Sequence, residues 1–135
     1  MTVALSVVVP VKDEAGNVGP LAREIAAAIG PGPHEILFVD DGSVDETAAA
    51  LVALRPAIAG LRVIRHDVNM GQSRAIRTGV RAARGEIIVT LDGDGQNDPA
   101  DIPRLLALLQ GNVAMVSGVR VRRRDSVAKR LASRV

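Results

Sequence analysis

Residues 35–54 read EILFVDDGSVDETAAALVAL, and the order of chemical types in this stretch decides the fold. Glu35–Val39 is a short, nearly continuous apolar run, the pattern of a strand covered on both faces of a sheet. It breaks at Asp40-Asp41-Gly42-Ser43, a set of turn-forming and capping residues. Glu46–Leu54 then places apolar residues every three or four positions, as a helix with one buried face does. Ser43-Val44-Asp45-Glu46 has the spacing of a capping box at the helix start. The unit is strand, acidic loop, helix.

The same unit recurs along the chain. Apolar, β-branched runs occupy Ala4–Val11, Leu61–Arg65, Glu86–Leu91 and Val113–Ser117, and helical spacing marks Val18–Ile29, Gln72–Arg84 and Ile102–Leu109. Asp98-Pro99 reads as an N-cap followed by Pro, and Gly30, Gly85 and Gly111 as helix stops. Alternating strands and helices predict one α/β domain, a doubly wound and mainly parallel sheet with right-handed crossovers. Beyond Ser117 the polar, basic residues lead into one more expected helix, Val127–Val135, with nothing after it to pack against. The domain therefore reads as incomplete at its C-terminus.

Composition narrows the class. The chain has 135 residues, 47% hydrophobic and 24% charged, with no Cys, Trp or Tyr and one Phe. That balance excludes a disordered chain, and the absent cysteines exclude a disulfide-stapled module, a thiolate zinc site and a Cys nucleophile. Apolar stretches break well short of the roughly 20 residues that span a bilayer. No basic leader precedes the first strand, so a cytoplasmic location is expected. Charge is split: residues 119–135 carry seven basic groups against Asp125, whereas residues 1–118 carry 10 basic and 14 acidic groups. An acidic body with a basic tail points to an anionic partner near the C-terminus. Nucleic acid is the weakest such partner, because one Phe gives no platform for stacking bases.

Ligands of open parallel sheets bind beyond the carboxyl ends of the strands. Four polar clusters fall there: Lys12-Asp13-Glu14, Asp40-Asp41-Gly42-Ser43, Asn69-Met70-Gly71-Gln72 and Asp92-Gly93-Asp94-Gly95-Gln96. Asp92 and Asp94, one small residue apart, can aim carboxylate oxygens at one hard cation, with Gln96 as a further oxygen donor. A plain Asp-Gly turn would look similar, but four such clusters on one rim favour the metal. For Asp40 and Asp41 two readings stand side by side: helix capping and dipole compensation, or acceptance of hydrogen bonds from a base or ribose. Gly71 and Gly79 serve either close ligand approach or helix packing. His34 and His66 lack metal-pair spacing and are expected at the surface, and Met70 is expected to pack.

The segments VVVPVKDEAGNVGPL, ILFVDDGSVDET, NMGQSRAIRTGVRAARGEIIVTLDGDGQNDP and VSGVRVRRRDSVAKRLASRV together resemble family-2 glycosyltransferases over nearly the whole chain. The likeness is to the dolichyl-phosphate mannose synthase and bacterial polyprenyl-phosphate sugar transferase branch. It implies a GT-A (Rossmann-like) fold, a UDP- or GDP-sugar donor, Mg²⁺ or Mn²⁺, and inverting hexosyl transfer to a polyprenyl phosphate. By matching motif, Pro10, Val11, Glu14, Asp40, Asp41, Gly71 and Gly93 would contact the nucleotide sugar. Asp92, Asp94 and Gln96 would hold the metal and the donor, with Asp92, Asp94 and Arg120 as catalytic groups. Arg120, Arg124 and Lys129 would bind acceptor phosphate, residues 119–135 forming the acceptor side and touching the inner face of the cell membrane. Lys12 stands where relatives often carry an aromatic, Gly95 where Leu is common, and Arg74 where a small residue is usual. Residues 1–135 are thus expected to be the nucleotide-sugar-binding part of a longer enzyme, with little turnover alone. Transfer to a soluble glycan, a receiver-like signalling domain and a non-catalytic nucleotide-sugar-binding module are the alternatives. A receiver carries its acidic pair after the first strand and a Lys after the last, where this chain has Asp40-Asp41 after the second and Arg120.

Overall fold

The computed structural model describes residues 3–91, 98–107, 115–117 and 132–133. Strands β1 (Leu5–Val11), β2 (His34–Asp41), β3 (Leu61–His66), β4 (Ile87–Thr90) and β5 (Met115–Ser117) form a parallel sheet. Its order is β3-β2-β1-β4-β5, with β6 (Ala132–Ser133) antiparallel on β5. Helices α1 (Val18–Ile29), α2 (Thr47–Leu54), α3 (Gln72–Ala82) and α4 (Ile102–Ala107) connect them, and a 3₁₀ turn, Pro99–Asp101, leads into α4. The order runs outward from β1 in both directions, so the topological switch point lies between β1 and β4.

Every residue of β1 is buried, which explains its unbroken apolar sequence. Its side chains alternate between two layers. Leu5, Val7, Val9 and Val11 join Ile36, Phe38, Val18, Leu21, Ile25 and Leu51 in the core that α1 and α2 cover. On the other face α3 lies against β1 and β2, and a side chain at Gly79 would collide with Val8 and press on Val39. Gly79 therefore serves helix packing, the second of the two readings of this residue.

Several boundaries differ from expectation for local reasons. The capping box does not form: the N-cap of α2 is Glu46, without a side-chain bond, while Asp45 accepts from the Thr47 N–H at 2.9 Å and from its hydroxyl. Ser43 instead accepts from the Asp13 N–H at 2.8 Å, joining the β1 and β2 loops. Asp98 does cap, accepting from the Ala100 N–H at 3.0 Å. Gly30 ends α1 with φ 75, as a helix stop should. Gly85 lies past the end of α3 and packs against β1, its N–H donating to Ser6 Oγ at 2.8 Å. Ala132 and Ser133, expected in a helix, pair as a strand with Val116 and Met115, because an open edge of β5 offers a backbone ladder that helical spacing cannot reveal. The remainder of that expected helix, and Gly111, lie outside the described residues.

Candidate active site

The carboxyl ends of β1, β2 and β3 bring together Pro10, Val11, Glu14, Asp40, Asp41 and Gly71, as the topology requires. Pro10 closes the switch point. In a parallel ladder a residue directs its N and its carbonyl to the same neighbour. The last described bond to β4 runs from the Leu91 N–H to the Val8 carbonyl at 3.0 Å, so Pro10 lies one step past it and needs no donor. Val11 pairs with Asp40 and is buried. Glu14 lies in the turn before α1: its N–H donates to Thr47 Oγ1 at 2.9 Å and its carboxylate accepts from Asn17 Nδ2 at 2.5 Å.

Asp40 and Asp41 are neighbours in sequence but serve opposite faces of the sheet, since successive strand residues alternate. Asp41 shares the parity of Leu37 and Val39 and faces α3. Its Oδ1 accepts from His66 Nδ1 at 2.8 Å and from the Met70 N–H at 2.8 Å, and its Oδ2 accepts from the Gly71 N–H at 2.8 Å. Burial works against its charge most strongly. The bonds from His66, Met70 and Gly71 outweigh that cost and hold its carboxyl below the ordinary value of 3.8. Asp41 is thus engaged in fastening the loop that leads into α3.

Asp40 is fully buried. Its Oδ1 accepts from the Ser43 N–H at 3.0 Å, whereas its Oδ2 is buried and, among the described residues, has no hydrogen-bond donor. The nearest cation, Arg65 Nε, stands 3.9 Å away on a largely exposed side chain. A carboxylate oxygen withdrawn from water and left without a donor costs on the order of 1–3 kcal/mol. Such an atom at the rim of a doubly wound sheet is a ready acceptor for a ligand N–H or O–H.

The roles of two groups at this rim, His66 and Asp13, and of His34 at the opposite end of the sheet escaped the sequence reading. His66 is not a surface residue: its side chain is 10% exposed, and its Nε2 meets Thr78 Oγ1 at 2.8 Å while Nδ1 binds Asp41. The in-register pairing of His66 with Asp41 makes that bond, and no local pattern announces it. His34 is likewise partly buried, its ring nitrogens 2.8 Å and 3.2 Å from the carbonyls of Gly32 and Ala59. Asp13 takes a left-handed conformation, φ 53, which directs its Oδ1 to the Val44 N–H at 2.8 Å. That bond, with Lys12 and Asp45 also contributing and burial opposing, holds its carboxyl low. Met70 does not pack; it is 44% exposed. Gly71, with φ 98, has open space where a side chain would lie.

Asp92, Gly93, Asp94, Gln96, Arg120, Arg124 and Lys129 lie outside the described residues. By residue type, the two carboxylates and the amide that follow β4 in sequence offer oxygen donors, the kind that suits a hard divalent cation. Among the described residues no three acidic, His or Cys side chains converge as metal ligands. Among the same residues, no helix is long and apolar enough to cross a membrane.

A parallel sheet wound outward from β1, with a carboxylate-rich rim, is the frame of a GT-A glycosyltransferase. The family profile of Glycosyl transferase family 2 matches residues 6–134, and the chain belongs to that family. It is 41% identical over 130 residues to a dodecaprenyl-phosphate galacturonate synthase of Rhizobium johnstonii, covering 91% of this chain and 38% of that protein. It is 39% identical over 135 residues to an undecaprenyl-phosphate 4-deoxy-4-formamido-L-arabinose transferase of Pseudomonas savastanoi, covering 97% and 40%. The chain thus spans about two-fifths of the length of these curated relatives. Among solved structures it resembles a mannosyltransferase from Pyrobaculum calidifontis in complex with GDP-Man and Mn²⁺. The TM-score is 0.67 at 27% identity, over 84% of this chain and 34% of that one.

Proposed function

We propose that this chain is the nucleotide-sugar-binding part of a metal-dependent, inverting glycosyltransferase whose acceptor is a polyprenyl phosphate. The observation that carries donor binding is the buried, donorless Oδ2 of Asp40 at the sheet rim. The acceptor class rests on the two polyprenyl-phosphate transferases that the chain matches over more than nine-tenths of its length. Asp40 accepts a hydrogen bond from the base or ribose, Pro10, Val11 and Glu14 line the same pocket, and Gly71 lets the donor approach the backbone. Asp92, Asp94 and Gln96 would hold Mg²⁺ or Mn²⁺, which would offset charge on the departing diphosphate.

An oxygen of the acceptor phosphate forms the new bond to the anomeric carbon as the bond to the donor diphosphate breaks, and the nucleoside diphosphate leaves with the electron pair. The attacking oxygen is already anionic, so positioning and charge stabilisation carry the rate without a strong base. Arg120, Arg124 and Lys129 hold the acceptor phosphate, the arginines through forked hydrogen bonds. The reaction is placed at the cytoplasmic face of the cell membrane, where such a lipid is presented.

Calorimetric titration of UDP-glucose and GDP-mannose, with and without Mn²⁺, tests the donor site. One of the two donors binds only with metal, Asp94→Ala abolishes binding, and Asp40→Asn weakens it about tenfold, the worth of one hydrogen bond to a charged group. Binding that ignores both substitutions would overturn the assignment. Sugar transfer to a short-chain polyprenyl phosphate, measured beside transfer to an oligosaccharide, separates the two acceptor classes.

A further inference from the structure

The outer face of α3 is a line of arginines. Arg74, Arg77, Arg81 and Arg84 are all exposed. At about 100° per residue Arg74, Arg77 and Arg81, the three within α3, fall within an arc of about 60°, opposite the buried Ala75 and Gly79 that seat the helix on the sheet, and Arg84 follows just past the helix end. Residues 72–84 contain these four cations and no acid, although residues 1–118 as a whole hold 14 acidic groups against 10 basic ones. Among the described residues none of these four guanidinium groups forms an ion pair, unlike those of Arg62, Arg65 and Arg104.

A second observation adjoins the first. The β3–α3 loop exposes Val68 (65%) and Met70 (44%), and the loop beside it exposes Val44 (90%). The loops touch, since a side chain on Gly42 would strike the backbone of Asn69 and Val68. Solvated loops carry such residues singly; here three of the four large exposed apolar side chains among the described residues lie on two touching loops, one of which leads into the cationic helix. The remaining one, Val52, lies on α2, across the sheet.

We infer that the outer face of α3 and the adjoining Val44, Val68 and Met70 form a docking surface for an anionic lipid bilayer. Arginines meet lipid phosphates while the apolar loop enters the headgroup boundary. A nucleic acid would match the charge but not the apolar loop, and the chain's one aromatic, Phe38, is fully buried. Docked in this way, the protein lays one sheet face along the membrane, and its carboxyl rim opens along the lipid surface. Docking through this face requires neither donor nor acceptor.

The chain has no Trp or Tyr, so a single introduced Trp is a clean reporter. Met70→Trp and, for comparison, Val52→Trp are titrated with phosphatidylcholine vesicles, with and without phosphatidylglycerol, carrying brominated acyl chains. Trp at position 70 shifts to the blue and is quenched only with the anionic vesicles, and raised salt reverses both changes. Trp at position 52 does neither. Arg74→Gln/Arg77→Gln/Arg81→Gln, added to the position-70 reporter, raises the lipid needed on the order of a hundredfold, at about fivefold per arginine. All three arginines point away from the core, so the fold is retained. Vesicle binding with Trp at position 70 unshifted would assign docking to another surface and overturn the inference. Binding to duplex DNA without binding to anionic vesicles would overturn it equally.

Discussion

Glu35 shows how much one buried carboxylate can organise. It sits at the opposite end of the sheet from the site, 3% exposed, and accepts from Ser6 Oγ, the Arg84 N–H and Arg62 Nη1, each at 2.6 Å. Arg62 also donates to the Ala82 carbonyl at 3.1 Å, so this one carboxylate ties β1, β2, β3 and the end of α3 together. Burial opposes its charge most strongly, yet the donors from Arg84, Ser6 and Arg62 outweigh that cost and hold its carboxyl below the ordinary 4.5. Glu35→Gln puts an amide NH₂ against one of these donors and leaves Arg62 without its counter-charge. The expected loss is about 3 kcal/mol, read from the urea midpoint at pH 7. A midpoint unchanged by the substitution would show that the network adds nothing to stability.

At the scale of elements, the β3–α3 connection depends on Asp41 more than on its own sequence. The carboxylate holds Met70 and Gly71 by their N–H groups, and His66 extends the tie to Thr78 on α3. Asp41→Asn replaces one accepting oxygen with a donor, so an N–H of the loop loses its partner. Amide exchange at Met70 or Gly71 should quicken at least tenfold, the equivalent of one charge-assisted bond, while exchange in β1 stays unchanged. Unaltered protection at both positions would show that the loop is held by other contacts. The same loop carries Gly71 toward the candidate donor site and Met70 toward the proposed membrane face, so its order bears on both.

For the whole molecule, the buried carboxylates of Glu35 and Asp41 contribute to the response to acid, beside the lowered Asp13 and Asp45. Each has a folded pKa below its ordinary value, 4.5 for Glu35 and 3.8 for Asp41. Above about pH 5 both are ionised in the folded and unfolded chains, and their stabilisation is fully present. As pH falls through the ordinary values, the unfolded chain takes up protons first, and the stabilisation drains away until the lowered folded values are passed. Urea midpoints should therefore hold nearly level from pH 7 to about pH 5.5 and drop steeply toward pH 3. In Glu35→Gln the drop should be shallower, because one of the lowered carboxylates no longer titrates.

Five strands and four helices were legible in sequence order, because each has the apolar period of its own geometry and turn residues at its ends. The parallel sheet followed from their alternation and from strands such as β1 that are apolar on both faces. The polar clusters after β1, β2 and β3 could be assigned to one rim for the same reason, since consecutive parallel strands all end on one side, while residues 92–96 lie outside the described residues. Membership of Glycosyl transferase family 2 was legible as well, in motifs spread along nearly the whole chain. Only the tertiary structure distinguished Asp40 from Asp41, identical residues in adjacent positions. Strand alternation turns one toward α3, where His66, Met70 and Gly71 engage it, and leaves the other with a buried oxygen that no hydrogen-bond donor among the described residues answers. The ties among Ser6, Glu35 and Arg62, and the pairing of Ala132 with Val116, were equally hidden, because they join residues far apart in the chain. Local periodicity records which face of an element is buried; which partner waits there is decided when the strands come into register.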